Sequence, residues 1–282
     1  MEKCCRYIEE FKETGNWNGD ITAYAAFNGH LDCLRYAHEN GCPWNDFTTA
    51  DAARKGDLEC MKYAHENGCQ WNIETTSAAA YKGYFDCLRY AHEKGCPWNE
   101  FTTSNAAYNG HLDCLRYARE KGCPWSLYTT SNAGFNGHFD CLKYAHENGC
   151  PWHVKATSNS SGKGYFECLK YARENGCPWN EETILFSAYK GHFDCLKYAH
   201  DNSCPWNERE TLSYLVKYAS TIDLDDMWWR TFLFNKDLTN YTSLQMLVNS
   251  KKEEIKQLQL SSEILFSYTP KDVIKYVLWP YF

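Results

Sequence analysis

The sequence holds no apolar run long enough to cross a bilayer. Its opening, Met1-Glu-Lys-Cys-Cys-Arg-Tyr-Ile-Glu-Glu, lacks the apolar centre of a secretory signal. There is no block of lysine and arginine. The 29 basic residues are outnumbered by 36 acidic ones, giving a net charge of −7, which disfavours a phosphate backbone as partner. A glycine-rich phosphate loop, an H-E-x-x-H zinc motif and a paired-carboxylate motif are also missing. The expectation is an intracellular, cytoplasmic protein with no membrane or nucleic-acid partner, no cofactor and no catalytic centre.

Cysteine is plentiful, but the C-x2-4-C spacing of zinc sites is absent. Of 16 cysteines, fourteen recur in pairs nine residues apart, from Cys33 and Cys42 to Cys195 and Cys204. His30 stands three residues before Cys33, yet the equivalent places hold Asp57, Tyr84 and Tyr165, and His38 gives way to Arg119 and Arg173. A repeated metal site would not survive those exchanges. Nor do Cys–His pairs repeated many times make the single convergent site that nucleophilic catalysis needs. Without a secretory signal the thiols are expected to be reduced and buried as small hydrophobes.

What the sequence does have is a period. Gly29, Gly56, Gly83, Gly110, Gly137, Gly164 and Gly191 stand 27 residues apart, and so do eight tryptophans from Trp17 to Trp206. Self-similarity at such a period marks a repeat array. In the second repeat, Asn45 to Lys55 reads as a short helix with Asn45 as N-cap and Gly56 as its left-handed terminator. Asp57 to Asn67 reads as a second helix whose Leu58, Cys60, Met61 and Ala64 form a buried stripe. Gly68 ends it, and in most repeats a proline follows and blocks continuation. Each repeat is a helix–turn–helix hairpin too small to bury its own apolar face, so stacking must supply the core. The fold class is all-α: a solenoid of stacked helix–turn–helix repeats with a helical C-terminal cap.

The phrase Gly29-His-Leu-Asp-Cys-Leu-Arg-Tyr-Ala-His-Glu-Asn-Gly-Cys-Pro-Trp-Asn resembles the second helix and exit of an ankyrin repeat. Ala52-Ala53 matches the paired alanines of the ankyrin first helix. The ankyrin period is about 33 residues, and the six missing here fall where ankyrins carry a β-hairpin finger. The array is therefore similar to a hairpin-reduced ankyrin variant, of the kind found in large DNA viruses of amoebae, and for a viral chain the cytoplasm would be the host's. The resemblance implies a non-catalytic scaffold that binds a protein partner through the concave face. In the space of the lost finger, the tryptophans are expected to stack on one another.

Columns that differ between repeats are free to carry specificity. One column holds Phe27, Arg54, Tyr81, Tyr108, Phe135, Gly162 and Tyr189; the next holds Asn28, Lys55, Lys82, Asn109, Asn136, Lys163 and Lys190. Two more lie near the helix start: Asp46, Ile73, Glu100, Leu127, Val154 and Glu181, then Phe47, Glu74, Phe101, Tyr128, Lys155 and Glu182. By the resemblance, the first three columns face the concave groove, and their aromatics beside lysine or asparagine form a ladder there. The candidate contacts are Phe27, Arg54, Lys55, Tyr81, Lys82, Tyr108, Asn109, Phe135, Asn136 and Tyr189, with Phe47, Phe101 and Tyr128. A further column, Asp51, Ala78, Asn105, Asn132 and Asn159, is expected to hydrogen-bond along the rod.

Three parts follow from this reading: a capping helix in 1–16, seven repeats in 17–206, and a degenerate eighth repeat with a helical region in 207–282. A helix is expected around Ser243 to Leu258. The tail from Thr269 to Phe282 is similar to the opening of an F-box, with Pro270, Asp272, Val273 and Val277 in matching places. That similarity implies an alternative role: an adaptor presenting a bound protein to a ubiquitin-ligase subunit.

Overall fold

The computed structural model describes residues 18–266, and among them there are helices and turns but no strand. The proposed capping helix in 1–16 lies outside the described residues. Helices come in pairs: Gly19–Asn28 with Leu31–Glu39, Thr48–Lys55 with Leu58–Glu66, Glu74–Lys82 with Phe85–Glu93, and Glu100–Tyr108 with Leu112–Glu120. The series continues with Thr129–Phe135 and Phe139–Glu147, Lys155–Lys163 and Phe166–Glu174, and Glu181–Lys190 and Phe193–Asp201. Packing divides the chain after Pro205 into two compact parts.

Local chemistry sets each boundary. The first helix of repeat two begins at Thr48, later than Asn45, because residues 45–47 form the capping turn, in which the Asn45 side-chain oxygen accepts from the Phe47 N–H at 2.8 Å. Asn72 and Asn99 do the same for Glu74 and Phe101. At the far end Gly56 takes φ +77°, and the Asp57 N–H donates to the Ala52 carbonyl at 3.0 Å, closing the helix. Asp57 then caps the second helix by accepting from the Cys60 N–H at 2.8 Å.

The core is a continuous strip. Repeat three contributes Ala79 and Ala80 from its first helix and Cys87, Leu88 and Ala91 from its second, all buried, and its neighbours contribute their equivalents. Leu34, Met61 and Leu88 and their equivalents in later repeats are fully enclosed, which favours folding by about 1.5–3 kcal/mol per side chain, whereas Leu58, expected in the buried stripe, is only half-buried at its edge. Successive first helices pack closely, whereas successive second helices touch only sparsely. First helices present alanine, serine and threonine to one another; second helices carry leucine, tyrosine and histidine. Two rows of unequal spacing must bend, so the first helices form the inner, concave row.

The close inner packing explains the glycine period more fully than capping does. A β-carbon on Gly83 would lie 2.4 Å from the His111 ring, one on Gly110 2.4 Å from His138, and one on Gly137 2.4 Å from Tyr165. Each repeat thus lays a side chain across the glycine of the repeat before it. The other glycine series differs: Gly95 has φ +83°, but nothing lies within 4 Å of its missing β-carbon. Its counterpart in repeat seven is Ser203, at φ +62°.

Among the described residues the repeat tryptophans meet other side chains and do not stack on one another as expected. Trp44 stacks on His38 with centroids 4.3 Å apart and meets the Tyr63 ring edge-on at 6.2 Å. Trp71 repeats this with His65 and Tyr90, and Trp98 with His92 and Tyr117. Histidine and tyrosine belong to successive second helices, so each indole fills the wedge that curvature opens on the outer side. Between one indole and the next stands the tyrosine of the following second helix, as Tyr63 does after Trp44. Where histidine becomes Arg119 or Arg173, the guanidinium lies over Trp125 or Trp179, at 5.1 and 4.3 Å.

Threonine satisfies the backbone where one repeat crosses to the next. Thr103 is fully buried; its hydroxyl donates to the Glu100 and Pro124 carbonyls at 2.9 and 3.0 Å and accepts from the Ser126 N–H at 3.3 Å. Thr22, Thr76, Thr130 and Thr157 likewise hold the proline carbonyl at the exit of their own repeat. One hydroxyl therefore satisfies the crossing backbone.

In the second part, Glu208–Leu215 runs into a 3-10 turn at Val216–Thr221, where Tyr218 replaces the terminating glycine. Helices Met227–Phe234 and Thr242–Phe266 follow, the latter longer than the expected span. Trp229, Phe232, Leu233, Leu244 and Val248 are buried, and Lys236 pairs with Glu208 at 2.8 Å.

Both glycine series can be tested in one experiment. Gly95→Ala is expected to cost about 1 kcal/mol, the penalty of a left-handed alanine. Gly110→Ala carries that penalty and must also displace His138, for a total of about 2–4 kcal/mol. Urea midpoints of the two variants measure the difference; equal shifts would show that the inter-repeat contact contributes nothing.

Candidate functional site

The inner helices bury their alanines and threonines and leave one stripe uncovered. In repeat four the stripe is Phe101, Asn105 and Tyr108, one helical turn apart. Phe27 and Phe101 are each 54% exposed and Tyr128 56%; Phe47, Tyr81 and Tyr189 are also exposed, while Tyr108 and Phe135 are half-buried.

The aromatic ladder is present over three repeats. Tyr81 stacks on Tyr108 with centroids 6.1 Å apart, and Tyr108 on Phe135 at 6.3 Å, with interplanar angles of 16° and 17°. It stops at Gly162 because Phe186, from the next repeat, occupies the space: a β-carbon on Gly162 would lie 2.9 Å from Phe186 Cβ. The Lys163 amine lies over the Phe135 ring at 4.5 Å instead. Lys82 and Lys190 lie over Tyr81 and Tyr189 at 5.6 and 4.9 Å.

Of the three amides of that second column, Asn28 donates to the Tyr24 carbonyl of its own helix at 2.7 Å, and the other two reach the preceding repeat. Asn109 donates to the Tyr81 carbonyl at 2.8 Å and Asn136 to the Tyr108 carbonyl at 2.6 Å. They are ties between repeats as much as surface groups. The other asparagine column also links repeats, though amide to carbonyl: Asn105, Asn132 and Asn159 donate to Ser77, Ser104 and Ser131 at 3.3–3.4 Å.

Beside the ladder is an open depression of ≈ 510 Å³. It brings together the expected Arg54, Tyr81, Lys82 and Phe101. Ile73, Glu74, Ser77, Ala78, Asn99 and Asn105 complete it and were not among the expected contacts. Ile73 was legible as an apolar residue in a variable column near the helix start, and Ala78 and Asn105 stood in the column read as a hydrogen-bonding row; Ser77 gave no signal, being a small residue on an inner helix. Arg54 is not a loose cation. It forms ion pairs with Asp51 and Glu74 across two repeats. Burial raises the Asp51 pKa above the usual carboxylate range, with Arg54 opposing and Glu74 reinforcing the rise. Lys55 is exposed and packs its stem beside Gly29. The tail residues Pro270, Asp272, Val273 and Val277 lie outside the described residues.

The chemistry-bearing groups do not converge. All fourteen repeat cysteines are buried and unbridged. Cys123 and Cys204, for example, donate to the Asn99 and Asn180 carbonyls at 3.2 Å. Among the described residues, no group of three or more histidine, cysteine, aspartate or glutamate side chains is placed to hold a metal ion. No helix among them is long and apolar enough to cross a membrane.

An all-α solenoid with an uncovered inner stripe defines the class of this protein: a helical repeat scaffold. Residues 77–119, within repeats three and four, match the family model of ankyrin repeats (many copies). The crystal structure of the human ASB11 ankyrin repeat domain is similar at 17% identity, over 56% of this chain and 84% of that chain, with a TM-score of 0.46. No curated protein matches the chain.

The buried thiols give a pH prediction. Burial pushes Cys87, Cys96, Cys114 and Cys141 from about 9 up to about 12, and Cys69 and Cys150 to about 11. An unfolded chain therefore releases these protons at lower pH than the folded one. The stabilisation is fully present below about pH 9 and is lost as pH rises toward 11–12. The melting midpoint should be level from pH 7 to 8 and fall steadily above about pH 9. A midpoint unchanged at pH 10.5 would show that the thiols titrate as if exposed.

Proposed function

We propose that this protein is a non-catalytic scaffold that binds a protein partner in the groove of its inner helices, centred on repeats three to five. The supporting observation is the in-register ladder Tyr81–Tyr108–Phe135 beside the depression walled by Ile73 and Phe101. Rigid aromatics on packed helices contribute contact area at low entropic cost, and tyrosine is enriched among the residues that dominate binding energy. Ankyrin repeats, matched here at 77–119, are generally protein–protein interaction modules.

Tyr81→Ala combined with Tyr108→Ala is expected to weaken partner binding by about 2 kcal/mol or more, while circular dichroism and the melting midpoint change little. The measurement is a titration of partner recovered by affinity capture and identified by mass spectrometry. Loss of the cooperative melt would instead place both rings in the core and remove the groove assignment.

The F-box-like tail supports a second reading, an adaptor that links the bound protein to a ubiquitin-ligase subunit. Capture with the full chain and with a chain lacking 261–282 distinguishes the two. A ligase component recovered only with the full chain supports the adaptor, and its absence from both leaves the scaffold alone.

A further inference from the structure

The groove is polarised across its width. The starts of the inner helices carry Asp20, Asp46, Glu74, Glu100, Glu181 and Glu182, with no acid in repeat five and Lys155 in repeat six. Their ends carry Lys55, Lys82, Lys163 and Lys190, with asparagine in the remaining repeats and no acid. A chain of net charge −7 thus gathers four lysines on one rim of one surface. Helix dipoles alone favour acid at the start and base at the end. They do not account for where these amines lie. Three are held over exposed or half-buried rings of the aromatic column, while Arg54, a cation within that column, is consumed by Asp51 and Glu74.

The lysines are also unevenly placed. Lys55 and Lys82 are one repeat apart, Lys163 and Lys190 one repeat apart, and between the two pairs stand Asn109 and Asn136, whose amides are tied to backbone carbonyls. The cationic rim is therefore two short clusters flanking a neutral aromatic centre, Tyr108 and Phe135. With helices about 8–10 Å apart, Lys82 and Lys163, three repeats apart in the sequence, are separated by about 24–30 Å, a span that about eight extended residues cover.

We infer that the ligand of this groove is an extended peptide segment with acidic residues at both ends of an apolar and aromatic centre, its carboxylates lying along the lysine rim. The inference rests on the groove being the partner site and specifies the chemistry of what enters it. A nucleic acid fits less well, because five of the seven repeats place an acid on the opposite rim, which would repel a continuous polyanion.

The test uses the full chain and fluorescence anisotropy with three labelled probes. One is a peptide of about twelve residues with two glutamates at each end of an apolar, tyrosine-containing centre. Its twin has lysine in place of glutamate, and the third probe is oligothymidylate of similar length. The acidic peptide is expected to bind at least tenfold more tightly than its twin, with an advantage that shrinks as salt is raised. Lys163→Gln with Lys190→Gln should weaken it by roughly five- to tenfold and leave the twin unaffected. Tyr108→Ala with Phe135→Ala should weaken both peptides.

Equal affinity for the two peptides overturns the inference, as does a preference that survives the lysine substitutions. Oligothymidylate binding more tightly than the acidic peptide, through the same lysines, also overturns it. A fall in melting temperature of the double glutamine variant with unchanged peptide binding assigns the rim to helix stabilisation and overturns it as well. None of these results touches the groove reading, which is decided by partner capture with the tyrosine variants.

Discussion

The closeness of one inner helix to the next governs this molecule. Where each helix ends, the following repeat lays a side chain over the glycine, as Tyr84 does at Gly56 and His192 at Gly164. The same closeness limits the facing positions to small residues such as Ala52, Ala79, Ser160 and Ala188, all buried. The outer helices, spaced apart by histidine, tryptophan and tyrosine, cannot match that approach. Packed interiors do not tolerate voids, so the outer wedge is filled by rings and the inner row is drawn together. Curvature, groove and aromatic ladder all follow. Rings such as Tyr81 and Tyr108 stack at 6.1 Å because the backbones that carry them are held together by residues with little or no side chain.

The repeats carry no strand among the described residues, yet the peptide groups at each crossing must still be satisfied. The threonine hydroxyls meet that need from within the core. Thr49 and Thr75 oxygens lie 3.0 Å apart and Thr76 and Thr102 3.3 Å apart, so hydroxyls of successive repeats also pair across the interface. A buried polar group is costly unless bonded, so these paired hydroxyls make the stacking register specific across the first three interfaces, whereas the Thr129 and Thr183 hydroxyls are buried without a hydrogen-bond partner. Repeat seven has Ile184 where the latch threonine stands in earlier repeats, and the regular array ends one helix later.

The period, the helix pairs and the inward-facing columns were legible because each leaves a mark in one dimension: a fixed spacing, a cap residue, a 3.6-residue stripe. The partners of a side chain 20 or more residues away were not. Nothing in the sequence announced that His38 faces Trp44 and Tyr63, although the exchange of histidine for Arg119 and Arg173 was a clue, since both groups can lie flat on an indole. The threonine latch was hidden for a similar reason: Thr103 reads as an ordinary helix residue until the Pro124 carbonyl and Ser126 N–H are placed beside it. At the groove, Arg54 looked like a free contact residue because Glu74, twenty residues away, becomes its neighbour only in the stack, although Asp51, three residues back on the same helix, was already within reach.

Variation between repeats therefore has two sources, and the structure separates them. Gly162 departs from the aromatic column because Phe186 needs its space, and Asn109 and Asn136 depart from lysine while tying repeats together; these are adjustments inside the stack. Lys82, Lys163 and Lys190 compensate for no neighbour in that way, since each extends over a ring that already packs without it. The same holds for Phe101 and Tyr128, whose exposed rings are not needed to fill the core. Residues whose variation the stack does not require are the ones left for a ligand to read. They cluster on the inner face from repeat three to repeat seven, most densely where the ladder is unbroken, and it is the undersized scaffold residues beneath them that hold that face in one shape.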